Sequence, residues 1–114
     1  MKLLIAGSRS IKEYDIEKLI PEEVTLIITG GAMGIDAIAE RYADKRGISK
    51  LVLRPQYKLY GKGAPLRRNE KMVELCDRAL VIWDGVSRGA KYTIECAKRM
   101  GKTVTVMTAQ KNNN

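Results

Sequence analysis

Val24-Thr25-Leu26-Ile27-Ile28-Thr29-Gly30-Gly31-Ala32-Met33-Gly34-Ile35-Asp36 passes from aliphatic and β-branched residues, through a glycine-rich turn, into a helical pattern. Its first six residues have the composition of a strand buried on both faces. Beyond the turn, Ile35, Ile38, Ala39, Tyr42 and Ala43 fall at i, i+3, i+4, i+7 and i+8, one stripe of a helix over about Gly34–Arg46. Gly47 stops that helix. A doubly buried strand feeding an amphipathic helix is the repeating unit of a parallel sheet covered by helices.

Working outward, the same alternation runs through the chain. Leu3–Ala6 reads as a first strand, and an amphipathic helix is expected around Asp15–Ile20, closed by Pro21. A short third strand, Leu51–Leu53, precedes Pro55 and a long irregular stretch to about Ala64. A helix from about Pro65 to Cys76, a fourth strand Ala79–Trp83, a last helix to about Met100 and a fifth strand Thr103–Met107 follow. The expected fold is a single α/β Rossmann-like domain of three layers over residues 1–109. Residues 110–114 read as a frayed tail. Right-handed crossovers leave strand order 3-2-1-4-5 as the expected topology, with ligands at the carboxyl ends of the strands where the winding reverses.

At 114 residues the chain has room for one core, and 45% hydrophobic with 30% charged residues describes a globular protein. No apolar run reaches the roughly 18–20 residues of a membrane span, so no membrane partner is expected. The short apolar start at Met1–Ala6 reads as a strand rather than a secretory signal. Cys76 and Cys96 form no CxxC pair, which fits buried thiols and a cytoplasmic location. The absence of histidine excludes a His-based triad and a His-ligated metal site. Of the net charge of +8, much sits in one block: no acid occurs from Lys45 to Asn69, while Lys45, Arg46, Lys50, Arg54, Lys58, Lys62, Arg67 and Arg68 are cationic. Such a block either attracts phosphates or simply forms a solvated surface.

Three glycine-bearing loops converge on the expected crevice: Gly7-Ser8-Arg9, Gly30-Gly31-Ala32-Met33-Gly34-Ile35-Asp36, and Asp84-Gly85-Val86-Ser87-Arg88-Gly89. Glycines admit an anion to the backbone, and the helix starts behind them favour a phosphate; close strand–helix packing is the alternative use of the same residues. The pattern is neither a P-loop nor a dinucleotide fingerprint, so no cofactor is expected. Ser8 and Ser87 are candidate phosphate hydroxyls, with Arg9 and Arg68 as guanidinium clamps. Asp36 either answers the helix dipole or binds ligand hydroxyls. Trp83, Tyr57 and Tyr60 either pack or stack on bases.

Gly7-Ser8-Arg9, Gly30–Asp36, and Arg68-Asn69-Glu70-Lys71-Met72 followed by Asp84-Gly85-x-Ser87-x-Gly89 together resemble the SLOG superfamily, named for DprA and the LOG phosphoribohydrolases. Within it, the small stand-alone YspA-like branch is the most similar, and the resemblance runs from about Lys2 to Met107. It implies a Rossmann-like fold and a nucleotide or nucleotide-derived ligand. It places ligand contacts at Gly7, Ser8, Arg9, Gly30, Gly31, Met33, Gly34, Asp36, Arg68, Asn69, Asp84, Gly85, Ser87 and Gly89. LOG enzymes cleave the N-glycosidic bond of nucleoside 5′-monophosphates, and Arg68 matches their arginine. Thr93 stands where their glutamate belongs. Glu95 is two residues late, about 200° around a helix, so Asp36 or Asp84 would have to substitute.

Three activities follow as expectations. The first is binding of a nucleotide-like small molecule in a sensor or signalling role, with weak catalysis or none. The second is phosphoribohydrolase activity with Arg68 and Asp36 at the reacting bond. The third is single-stranded nucleic-acid binding through Arg54, Lys58, Lys62 and Arg67. Related enzymes are commonly dimeric, which makes a homo-oligomer an open expectation.

Overall fold

The fold is described from a computed structural model, over residues 1–110. Five parallel strands, β1 (Lys2–Gly7), β2 (Leu26–Thr29), β3 (Ser49–Val52), β4 (Arg78–Trp83) and β5 (Thr103–Thr108), form one sheet in the order β3-β2-β1-β4-β5. The expected α/β class and strand order are those observed. The expected tail beyond Gln110 lies outside the described residues.

Successive residues of the central strands face opposite sides, and this period of two builds two cores. Leu3, Ile5, Ile27, Leu80 and Ile82 meet α1 (Ile35–Arg46) through Ile35, Ile38, Ala39 and Ala43. Leu4, Ala6, Ile28, Ala79 and Val81 face the opposite layer, which contains two further helices of twelve residues each. The first is Ala64–Leu75, labelled α3 below because the one-turn helix Tyr57–Tyr60, α2, precedes it; the second is α4 (Arg88–Arg99). Cys76, Cys96, Met72 and Trp83 pack in this second core. Both cysteines are free and buried.

Several elements differ from expectation, the largest difference lying between β1 and β2. The helix expected at Asp15–Ile20 is a single 3-10 turn, Glu17–Leu19. Asp15 Oδ1 accepts the amide of Glu17 at 3.0 Å, a local bond that competes with helix propagation, and Pro21 ends the segment. The β1–β2 crossover is therefore mostly loop, held down by Ile11, Ile16 and Val24 in the first core. β2 starts at Leu26 rather than Val24, and β3 covers Ser49–Val52 rather than Leu51–Leu53. The stretch expected to be irregular after Arg54 contains α2 and a 3-10 turn at Gly61–Gly63. Among the described residues no helix is long and apolar enough to cross a membrane.

Candidate functional site

A cavity of about 380 Å³ opens at the carboxyl ends of β1, β2 and β4, where the winding of the sheet reverses. Gly7, Ser8, Arg9, Gly30, Gly31, Asp36, Arg68, Asn69, Ser87 and Gly89 all line it. Of the remaining expected contacts, Met33, Gly34, Asp84 and Gly85 do not. Met33 is 58% exposed, turned to solvent away from the cavity. Gly34 and Asp84 act on the frame instead.

The frame begins with two close approaches. A Cβ at Gly7 would lie 2.4 Å from Ile82 O and 2.6 Å from Ile35 Cγ1. One at Gly34 would lie 2.5 Å from Ser8 O and 2.7 Å from Arg9 O. The two glycines thus let the start of α1 sit directly on the end of β1, where Ile35 N donates to Ser8 O at 3.5 Å. That docking delivers Asp36, in the first turn of α1, to the cavity wall.

Asp36 is 6% exposed, and its Oδ2 accepts the amide of Ala32 at 3.2 Å. Burial pushes its pKa above the ordinary 3.8; the Ala32 amide, the Arg68 charge and the Gly30 amide act in the opposite direction. The carboxylate thus occupies amides of the Gly30–Gly34 loop that were expected to cradle a phosphate. This loop already holds an internal carboxyl group.

Arg68 forms a bracket. Its Nη1 donates to Gly30 O at 2.7 Å and to Leu53 O at 3.2 Å, and its Nε donates to Asn69 Oδ1 at 2.8 Å. The side chain ties α3 to the ends of β2 and β3. Three of its five N–H donors are thereby engaged, and among the described residues the two on Nη2 have no hydrogen-bond partner. Burial lowers its pKa, while the nearby Asp36 and Tyr57 act to raise it; an arginine so placed stays charged. Gly30 makes room for this arrangement, since a Cβ there would lie 2.6 Å from Arg68 Nη1 and 3.0 Å from Asp36 Oδ2. Arg54 repeats the device one residue on, with Nη1 donating to Gly31 O at 3.2 Å.

The opposite wall is the start of α4. Asp84 Oδ1 accepts the amides of Val86 and Ser87 at 2.9 and 2.8 Å, and Ser10 Oγ donates to Oδ2 at 2.9 Å. Burial opposes ionisation of this carboxyl, but these amides and the Ser10 and Ser8 hydroxyls outweigh it and pull the pKa down to about 2. Asp84 is a staple for the β4–α4 loop and does not line the cavity. Ser8 Oγ accepts the Asp84 amide at 2.9 Å and sits 2.8 Å from Ser87 Oγ. Trp83 closes the loop from the sheet side, Nε1 donating to Ser87 O at 3.0 Å, and packs against the second core without lining the cavity. With Ser87 so held, α4 begins with no acidic residue in its first turn and no side chain capping its amides. Gly89 and Ala90 expose that turn to the cavity.

Several lining residues lie outside the expected set of ligand contacts. Ala90 and Thr93 follow from helical spacing after Ser87, and Thr93 Oγ1 is turned back onto Gly89 O at 3.0 Å. Glu95 is exposed and outside the cavity. Pro55, Tyr57, Pro65 and Leu66 form an apolar end that only the fold brings to the strand ends. Tyr57 is 60% exposed. Lys58, Lys62 and Arg67 are not in this cavity, whereas Arg54 is. Among the described residues no group of three His, Cys, Asp or Glu side chains is placed to hold a metal. No protein-family model matches the chain, and a search of curated proteins finds no match.

Proposed function

We propose that this cavity binds a nucleotide or nucleotide-derived ligand, with its phosphate at the start of α4. The observation that carries the reading is the pairing of two opposite walls. One is a helix start with no acid in its first turn and no side chain capping its amides, opening on the cavity at Gly89 and Ala90, the Asp84 carboxylate just before it being taken up by the Val86 and Ser87 amides; the other is Asp36, buried and already matched to its own loop amides. The first favours an anion through unpaired amides and the helix dipole. The second repels phosphate and accepts hydroxyl protons, as a ribose requires. Between them Arg68 offers two N–H groups, and Arg9, exposed at the rim, offers a further cation. Pro55, Tyr57 and Leu66 supply an apolar end for a base. A volume of about 380 Å³ lies within the range of roughly 300–1,000 Å³ of small-ligand sites. The resemblance to the SLOG superfamily supports the same ligand class, and a sensor or signalling role follows from binding without turnover.

Cleavage of the N-glycosidic bond is the second reading, and one observation favours it. Asp36 is a cavity carboxyl whose pKa burial raises, as a general acid needs. Asp84 is withdrawn from that role by its staple contacts.

The test uses a panel of nucleoside mono- and diphosphates, following thermal stabilisation and release of free base together. Gly89→Asp is the informative variant. Gly89 has nothing within 4 Å of an added Cβ, and an acid in the first turn stabilises a helix by about 0.3–1 kcal/mol. The variant therefore folds at least as well as the wild type and loses the ligand. Stabilisation of the wild type alone, without base release, is the expected result. Base release abolished by Asp36→Asn would establish the hydrolase instead, and equal binding by Gly89→Asp would overturn the placement of the phosphate.

A further inference from the structure

A second cavity of about 580 Å³ lies on the other side of Arg54 and Arg68, the two residues that also line the first. Resting on the nucleotide reading above, we propose that the ligand is a dinucleotide-type molecule, two nucleoside-like halves joined through phosphates. One half fills the first cavity, the linking diphosphate runs from the start of α4 across the two guanidiniums, and the other half lies in the second cavity.

Three features carry this. The divide between the cavities is built from cations fixed in place, Arg68 on Gly30 O and Arg54 on Gly31 O. Whatever crosses it is matched by negative charge, and guanidiniums suit phosphate oxygens by geometry as well as charge. Second, the carboxylates of the far cavity are engaged. Glu70 Oε1 accepts the Tyr92 hydroxyl at 2.7 Å, and Glu74 lies 3.7 Å from Lys71 Nζ. Against Glu70 and Glu74 the lining sets Arg54, Arg67, Arg68 and Lys71, so the cavity keeps an excess of positive charge. Third, the Arg67 guanidinium lies over the Tyr60 ring at 5.6 Å from its centroid, and Tyr60 is 49% exposed. A planar cation layered on an exposed ring is a surface on which a second base can stack. The acid-free run from Lys45 to Asn69 thereby acquires a use that a mononucleotide alone does not require.

The experiment titrates wild-type protein by calorimetry with the four nucleoside 5′-monophosphates and with the matching symmetrical dinucleoside diphosphates. Arg67→Glu and Tyr60→Ala are exposed substitutions that leave the first cavity intact. The dinucleoside diphosphate of at least one base is expected to bind at least about tenfold tighter than its mononucleotide, a modest linkage gain. Both variants should erase that gain and keep the mononucleotide affinity. Equal affinity for matched pairs would overturn the second half-site and leave the nucleotide reading standing. A gain untouched by either variant would overturn its placement. Binding of neither class would overturn both readings. Tighter, steeply salt-dependent binding of a twelve-residue oligothymidylate, lost in Arg67→Glu, would replace the small ligand with a nucleic acid.

Discussion

Gly34→Ala tests whether α1 is docked on the end of β1 as closely as described. Two separate costs add at this position. The backbone sits at φ 74°, ψ −127°, a conformation open to glycine and strained for alanine by about 1–3 kcal/mol. The new methyl would also lie 2.5 and 2.7 Å from the carbonyl oxygens of Ser8 and Arg9, which are backbone atoms and cannot turn away. Relieving that overlap costs about 1–3 kcal/mol more. The sum, about 4 kcal/mol, is a large share of the roughly 5–15 kcal/mol that stabilises a typical domain. Gly61 separates the two parts. It has nearly the same backbone, φ 57° and ψ −132°, but nothing within 4 Å of an added Cβ. Urea unfolding followed by circular dichroism should therefore show Gly61→Ala losing only the strain, with Gly34→Ala losing about 1–3 kcal/mol beyond it. Thermal midpoints should follow at about 4 °C per kcal/mol for a domain of this size. Equal losses at the two glycines would refute the close approach, and with it the placement of Asp36.

Arg68→Ala removes the bracket joining α3 to Gly30 O and Leu53 O and should cost about 2–3 kcal/mol, less than three fully buried charged hydrogen bonds because the side chain is half-buried. Arg68→Lys should keep the charge but not the two-carbonyl geometry, so a fully stable lysine variant would contradict the bracket. Thr29→Val should raise stability by about 1 kcal/mol in the same urea assay, because Thr29 Oγ1 is buried with no hydrogen-bond partner; a loss of that size would show that the hydroxyl is used. Asp36→Asn should change the pH dependence of folding. Since burial raises the Asp36 pKa, the folded protein holds this proton above pH 3.8, where the unfolded chain releases it. Stability from this group is thus highest in acid and falls as pH rises through the folded pKa. Wild type should lose stability relative to Asp36→Asn across that window, and a relative gain would mean that Arg68 and the loop amides outweigh burial.

Much of this arrangement is visible in the amino-acid order. The doubly buried strand Leu26–Thr29 and the helical stripe from Ile35 dictate a parallel sheet, and the glycine loops after β1, β2 and β4 must then meet at one end. What the order of residues leaves open is which group satisfies which. Gly30–Gly34 has the composition of a phosphate loop, yet Asp36 folds back and takes its amides. Arg68 has the charge of a ligand clamp, yet most of its donors hold two strand ends and Asn69. Asp84 has the position of a ligand residue and is consumed as a staple, whereas Gly89 and Ala90 inherit the free helix start. The missing β1–β2 helix has the same origin: the Asp15 carboxylate prefers a neighbouring amide, a choice that hydrophobic spacing does not record. Tyr57 and Leu66 reach the site only through the path of the chain after β3.

The most direct test of the central claim is a two-dimensional amide NMR titration of the protein with nucleoside 5′-monophosphates. Shifts are expected to concentrate at the amides of Arg88, Gly89 and Ala90, where the phosphate is proposed to sit, with smaller changes at Ser8, Asp36 and Tyr57. Spectra unchanged at saturating nucleotide, or shifts confined to residues away from the start of α4, would contradict it.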